Sequence, residues 1–347
     1  MPEALAAASP PPNWVESRHP LGWAIDRLLA VEPLRQLLFW QARGLIIRTA
    51  EGRGIAWRQR REQLQAAAEP LLAEVTDPAT QVPAYYRARF HAYDQGNLCW
   101  QAACEAEQAT DSMALRVWPL EKALPAGEAQ QRLRSAIFSA IEPSLCGPVH
   151  RALDLGCSVG VGTLALRDWL QQRQQARGAD APVQVEGLDL SAEMLAVARV
   201  REAERQAARR AAASGPASAG SPAVVTAPPI TWHHAAAEAT GLPAGAYDLI
   251  TLQFVCHELP GEATGAVLRE AARLLRPGGV IAVVDQDPDS EVIRRLPAPI
   301  ATLLKSTEPY LEDYFRLDFP AALQAAGFRE VRREAADPRH RVLVATR

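Results

Sequence analysis

Two kinds of hydrophobic spacing divide this chain. Before about residue 128, apolar positions recur at helical intervals: Leu28, Leu29, Leu34, Leu37 and Leu38, then Leu64, Leu71 and Leu72. Residues 83–118 are dense in aromatic and polar groups and turn helical from Leu98. A further helical stretch covers 129–142 and ends before Pro143. Strand and helix then alternate. RALDL, VQVEGLDL, ITWHHA, YDLITLQFV and VIAVVDQ predict five strands. Helices are predicted over Thr163 to Arg177, after the N-cap residue Ser191, and over Thr264 to Leu275. The last of these is expected to stop at RPGG, with Pro277 unable to continue it and Gly278 as a left-handed cap. Helical stretches within 290–306 and 311–326, the latter ending at Gly327, lead to two closing strands, FREVRRE and HRVLVATR.

This alternation predicts an α/β fold: a doubly wound, mainly parallel seven-stranded sheet with a C-terminal antiparallel hairpin, Rossmann-like, plus an N-terminal helical extension. The predicted organisation is a disordered segment 1–20, rich in Pro, a helical extension or cap over 21–128, and the α/β domain over 129–347. A low-complexity insertion, SGPASAGSPAVVTAPP, occupies 214–229.

Composition narrows the functional classes. Of 347 residues, 48% are hydrophobic and 22% charged, as in soluble globular proteins. A net charge of -3 leaves no electrostatic footprint for nucleic acid, so none is expected as partner. The 5 cysteines form no CxxC pair, which argues against disulfides and zinc and for a reducing, cytoplasmic setting; no metal site is expected. No apolar run reaches the ~20 residues of a membrane span, so no integral membrane segment is expected. The stretch Leu28 to Ile47, followed by Arg48, Arg53 and Arg58, fits a buried helix with a basic neighbour or, alternatively, peripheral contact with a membrane surface.

Candidate chemistry starts at RALDLGCSVGVGTLALRDWL, from Arg151 to Leu170. In a doubly wound sheet, ligands bind beyond the carboxyl ends of the strands. Gly156 and Gly160 allow close approach of backbone to a ligand, and the next helix offers free N–H groups to an anion. Two ligand classes fit. Gly160, Gly162 and Ala165 spell GxGxxA, the pattern of a nucleotide-dependent oxidoreductase, but that pattern begins late and leaves GCSV unexplained. The other class is S-adenosylmethionine.

DLGCSVG, from Asp154 to Gly160, resembles the first motif of class I S-adenosylmethionine-dependent methyltransferases, with Ser158 where the middle glycine is usual. GLDLSAEML resembles that family's second-strand motif, AAAEATGLPAGAYDLITLQFVCHELP its third-to-fourth-strand region, and LLRPGGVIAVVD its turn into the fifth strand. Within the family, the pattern is similar to the ubiquinone and menaquinone biosynthesis C-methyltransferase branch. The resemblance implies that Asp154, Gly156, Cys157, Ser158 and Gly160 surround the cofactor's methionine half. It implies that Asp189 accepts the ribose hydroxyls, that Leu190 and Met194 pack near the adenine, and that Ala237, Glu238 and Gln253 complete the cofactor site. Ala236 stands where relatives often carry an acid.

Methyl transfer needs alignment, exclusion of water and, for some acceptors, a base. His257, after the fourth strand, is the candidate catalytic residue; a local capping role is the alternative. Tyr86, His91, His257 and Tyr310 are candidate substrate-binding residues, with plain packing as the alternative for the aromatics. The expected acceptor is a small molecule, aromatic or quinone-like. A non-catalytic binding protein on the same fold is the rival from another class.

Overall fold

The computed structural model describes residues 11–12, 14–15, 27, 31–91, 93, 95–178, 182–213 and 228–347. Most of the predicted insertion 214–229 lies outside the described residues. Seven strands, β1 (Arg151–Leu155), β2 (Gln184–Asp189), β3 (Thr231–His234), β4 (Tyr247–Gln253), β5 (Leu275–Gln286), β6 (Arg329–Ala335) and β7 (His340–Thr346), form one sheet of order β3-β2-β1-β4-β5-β7-β6. β1 pairs in parallel with β2 and β4, while β7 runs antiparallel to both β5 and β6. The strand order reverses between β1 and β4, the point at which doubly wound sheets bind ligands at the carboxyl ends of their strands. This is the predicted Rossmann-like architecture.

The central strands are apolar on both faces, so helices cover both. α4 (Ala126–Ile141) and α5 (Val161–Ala176) close one face through Leu133, Ile137, Leu166 and Leu170. α7 (Gly261–Leu274) and the later helices α9 (Leu311–Arg316) and α10 (Phe319–Ala325) close the other through Val267, Leu268, Leu311 and Phe319. α2 (Trp57–Ala68) and α3 (Trp100–Val117) of the extension pack on α6 (Ala192–Ala213), burying Leu64, Ala102, Ala103 and Val197.

Four features differ from the expectations. α7 passes into β5 without a left-handed cap, because Leu275 is already extended; Gly278 takes its φ of 77° inside the strand. The stretch from 290 to 326 divides into four short helices: Glu291–Arg294, α8 (Ala298–Thr307), α9 and α10. Proline in the first turn of α8 and of α10, and Pro309 just before α9, account for most of the division. Trp14 and Val15, in the segment expected to lack order, are buried, and the Trp14 indole donates to the Ile293 carbonyl at 2.7 Å. Finally, α1 (Glu32–Glu51) buries only Ile47 and Ala50, leaving Trp40 at 73% and Leu45 at 60% exposure. Its apolar residues are spread around the helix rather than along one stripe, so packing one side against the fold leaves the others exposed.

One indole locks the first βαβ unit. A Cβ on Gly160, whose φ is 73°, would lie 2.7 Å from the Trp232 ring, and one on Gly187 would lie 2.6 Å from it. Trp232 is itself held by its indole N–H to Glu202, at 2.9 Å. Glu202 also accepts from Arg167 at 2.9 Å and from the Ile230 amide at 2.8 Å. Gly187→Ala should therefore overpack this contact and lower stability by about 1–3 kcal/mol in chemical denaturation; an unchanged midpoint would mean that Trp232 moves aside freely.

Candidate functional site

At the crevice, each strand end contributes one group. The loop after β1 turns through Gly156, φ 71°, and Ser158, φ 48°. Ser158 carries a left-handed backbone where glycine would be unstrained, at a cost of about 1–2 kcal/mol. Its amide repays part of that by donating to Asp189 Oδ2 at 2.7 Å, while its hydroxyl lies 3.4 Å from the Met194 sulfur. Asp189 Oδ1 accepts from the Ser191 amide at 2.9 Å. Burial pushes the Asp189 carboxyl up to about 6, against these two N–H groups, which favour its charged form. Leu190 and Met194 are buried beside it, and Cys157 is buried with its thiol pushed well up, which leaves it unreactive.

Asp154 lies beneath the loop. Its Oδ2 accepts from Thr163 of α5 at 2.7 Å, and its Oδ1 from Thr251 at 2.6 Å and Gln253 Nε2 at 3.1 Å. Burial raises its pKa while these three donors and Arg134 oppose the rise. The Gln253 carbonyl in turn accepts from Arg134 Nη1 at 2.6 Å. Arg134, on α4, was not among the residues expected here. It is 6% exposed, burial brings its pKa down to about 10 against the pull of Asp154, and its Nε has no partner among the described residues. Helical periodicity marks position 134 only as part of α4; the cation's neighbours come from elements 20 and 119 residues away in sequence, as Asp154 and Gln253 show.

Beyond β4 and β5 a second group gathers. His257, 8% exposed, stands in the turn Cys256–Glu258. Its Nδ1 lies 2.8 Å from Asp285 Oδ1, and its amide donates to Asp285 Oδ2 at 3.1 Å. Burial disfavours the imidazolium, but Asp285 outweighs it and raises the His257 pKa to about 10. His91, Asn97, Glu258 and Glu308 surround this pair. Asn97 Nδ2 donates to Glu258 Oε2 at 2.8 Å, and His91 Nε2 lies 3.5 Å from Glu258 Oε1. Burial raises the Glu258 carboxyl to about 7 and lowers the pKa of His91.

The segment around residues 77–97 is stitched across these strand ends. Thr80 donates to the His234 carbonyl at 2.6 Å, Tyr85 to Glu238 at 2.8 Å, and the His91 amide to the Thr307 carbonyl at 2.9 Å. Tyr310 donates to the Tyr85 carbonyl at 2.9 Å, and its ring packs on Phe90. Burial, then the charges of Asp189 and Glu258, push the Tyr86 phenol up, so the phenol lies within electrostatic reach of both carboxylates. Of the expected residues, Asp154 and Gln253 thus brace the loop, Asp189 and Tyr86 face the crevice, and His91 joins His257. Glu238 is engaged by Tyr85, with Ala237 half-buried beside it. Asp94 lies outside the described residues.

Residues 153–283 match the family described as "Methyltransferase domain". Among solved structures, the chain is similar to phosphoethanolamine N-methyltransferase 2 of Haemonchus contortus in complex with S-adenosylmethionine. That pair shares 18% identity and a TM-score of 0.41, over 69% of this chain and 58% of that one. The chain therefore spans less than two thirds of the Haemonchus enzyme's length. It is also similar to human N-acetylserotonin methyltransferase (15% identity, TM-score 0.42, 81% of this chain and 66% of that one). A methyltransferase from Aquifex aeolicus gives 18% identity and a TM-score of 0.42, over 67% of this chain and 97% of that one. A search of curated proteins found no match.

The residues of this site fit S-adenosylmethionine. Asp189 has lone pairs left for two hydroxyls, and Arg134 keeps a buried, unpartnered N–H suited to a carboxylate. Gly162, part of the dinucleotide-like pattern, has the Gln253 amide 2.7 Å from where its Cβ would be, so it faces protein. Only the carboxylate form of Asp189 can accept two hydroxyls, so affinity for S-adenosylmethionine should fall as pH drops through about 6. Glu258, His234 and Tyr86 are its titratable neighbours. Calorimetry between pH 5 and 7 should show this fall in the parent chain, and a flat, weaker profile in Asp189→Asn.

Proposed function

We propose that this protein transfers a methyl group from S-adenosylmethionine to a small aromatic or quinone-like acceptor. The observation that carries the reading is the meeting of two polar groups under one cap: Asp189 with the glycine loop on one side, and His257 with Asp285 on the other, with the Tyr86 phenol within electrostatic reach of Asp189 and Glu258. S-adenosylmethionine supplies a methyl carbon already activated by its sulfonium. The protein's part is to bind, orient and exclude water. Asp189 holds the ribose, Arg134 meets the methionine carboxylate, and Phe90, Tyr86 and Tyr310 form the apolar roof. His257, fixed by Asp285, orients the acceptor's polar atom.

Two measurements test this. With labelled S-adenosylmethionine, the small-molecule fraction of a cell extract should accept label and the protein fraction should not; no labelled product in either would favour a non-catalytic binding protein. Arg134→Gln should weaken S-adenosylmethionine binding about 10–100-fold, the value of one buried charge-assisted contact. It should leave 5′-methylthioadenosine, which lacks the carboxylate, bound as before; equal losses for both ligands would remove Arg134 from this role.

Contact with a membrane surface through the exposed side of α1 belongs to the same reading, since a quinone-like acceptor is carried in lipid. Co-sedimentation with anionic vesicles should be reduced by Trp40→Asp, and absence of pelleting in the parent chain would exclude it.

A further inference from the structure

His91, His257 and Glu308 each present one donor atom, and the three atoms lie within 4.8 Å of one another. They come from the cap, from the turn after β4 and from the end of α8, so no spacing in the sequence joins them. Glu308 is 7% exposed, and its Oε2 has no hydrogen-bond partner among the described residues. A buried carboxylate oxygen without a donor costs several kcal/mol unless something satisfies it. Nothing in the fold requires Glu308 to point inward: the turn it occupies is held by backbone hydrogen bonds from its own amide to Leu304 and from Leu311 to its carbonyl.

The two imidazoles are oriented from outside the cluster. Asp285 engages Nδ1 of His257 at 2.8 Å, and Asn97 Oδ1 lies 3.4 Å from Nδ1 of His91. This leaves Nε2 as the second nitrogen of each ring, and that of His91 also lies 3.5 Å from Glu258 Oε1 at the edge of the cluster. A carboxylate or amide on the outer nitrogen is the usual support of a metal-bound histidine. His91 holds its place through a left-handed backbone, φ 51°, and keeps 37% of its side chain accessible, so the cluster has an open side. Asp285, Glu258 and Glu308 concentrate acidic charge in this buried region, which a divalent cation would offset.

We propose that His91, His257 and Glu308 bind a divalent transition-metal ion, with the two Nε2 atoms and a Glu308 oxygen as its protein ligands. Ligands about 2.0–2.2 Å from such an ion lie about 3.0–3.6 Å apart, so the three side chains need close by little more than an ångström. Two imidazoles and one carboxylate suit zinc or iron(II) and leave positions for further oxygen ligands. The site stands without the methyl-transfer reading. That the ion meets the acceptor does rest on it, and then selects acceptors bearing a hydroxyl or enol oxygen.

The test uses the full chain, without an affinity tag and freed of metal by chelator. Titration with Co(II), followed by its visible absorption, should show one saturable site that Zn(II) displaces. His91→Asn, chosen because asparagine tolerates a left-handed backbone, and Glu308→Gln should each weaken Co(II) binding at least about tenfold. Binding of S-adenosylmethionine, measured alongside, should be retained in both and reports folding and the cofactor site separately. Absence of saturable Co(II) binding, or binding unchanged by Glu308→Gln in a chain that still binds S-adenosylmethionine, would overturn the proposal. If His91→Asn fails to fold, Glu308→Gln decides alone.

Discussion

A single buried carboxylate ties the cofactor end of this molecule together. Asp154 is 2% exposed, and its charge is tolerable only because Thr163, Thr251 and Gln253 donate to it and Arg134 stands behind Gln253. Each donor belongs to a different part of the fold: the start of α5, the middle of β4 and its end. Satisfying Asp154 therefore fixes the direction in which α5 leaves the glycine loop and the place where β4 stops. A buried polar group with all its partners specifies one arrangement, since any other leaves a charge unpaired.

The loop above it is held from two further sides. Asp189 binds the Ser158 and Ser191 amides, joining the loop to the start of α6, and Trp232 fills the space that side chains at 160 and 187 would need. The crevice is thus pre-organised before any ligand arrives, which lowers the entropic cost of binding. The extension adds what the sheet lacks. Tyr85, Thr80, Asn97 and the His91 backbone each bond to a group at a strand or helix end, so directional contacts add to apolar packing in positioning the cap.

The group around His257 follows another physical logic. Around His257 the structure brings together Asp285, Glu258, Glu308 and His91 with little solvent, so their ionisations depend on one another. Such a cluster is expensive in folding energy and is found where a site must manage charge. Core packing alone would have placed leucines there.

Much of this was legible in the chain. Alternating apolar runs and helical stretches determine the sheet and its helices, because burial on both faces permits few other arrangements. The order of DLGCSVG, GLDL and RPGG determines where the cofactor crevice lies, since local backbone geometry sets it. Single side chains such as Asp189 and His257 could be picked out because they sit at strand ends, where side chains meet ligands. Arg134 could not, because a charged residue on a helix normally faces water, and Glu308 could be placed only in the EPYLEDYF stretch near the site; that both are buried is shown only by the folded chain. The same holds for the exposure of α1, for the docking of Trp14 and for the meeting of His91, His257 and Glu308. Local propensities act over a few residues, whereas these contacts join residues as much as 279 positions apart, and packing of the complete fold decided them.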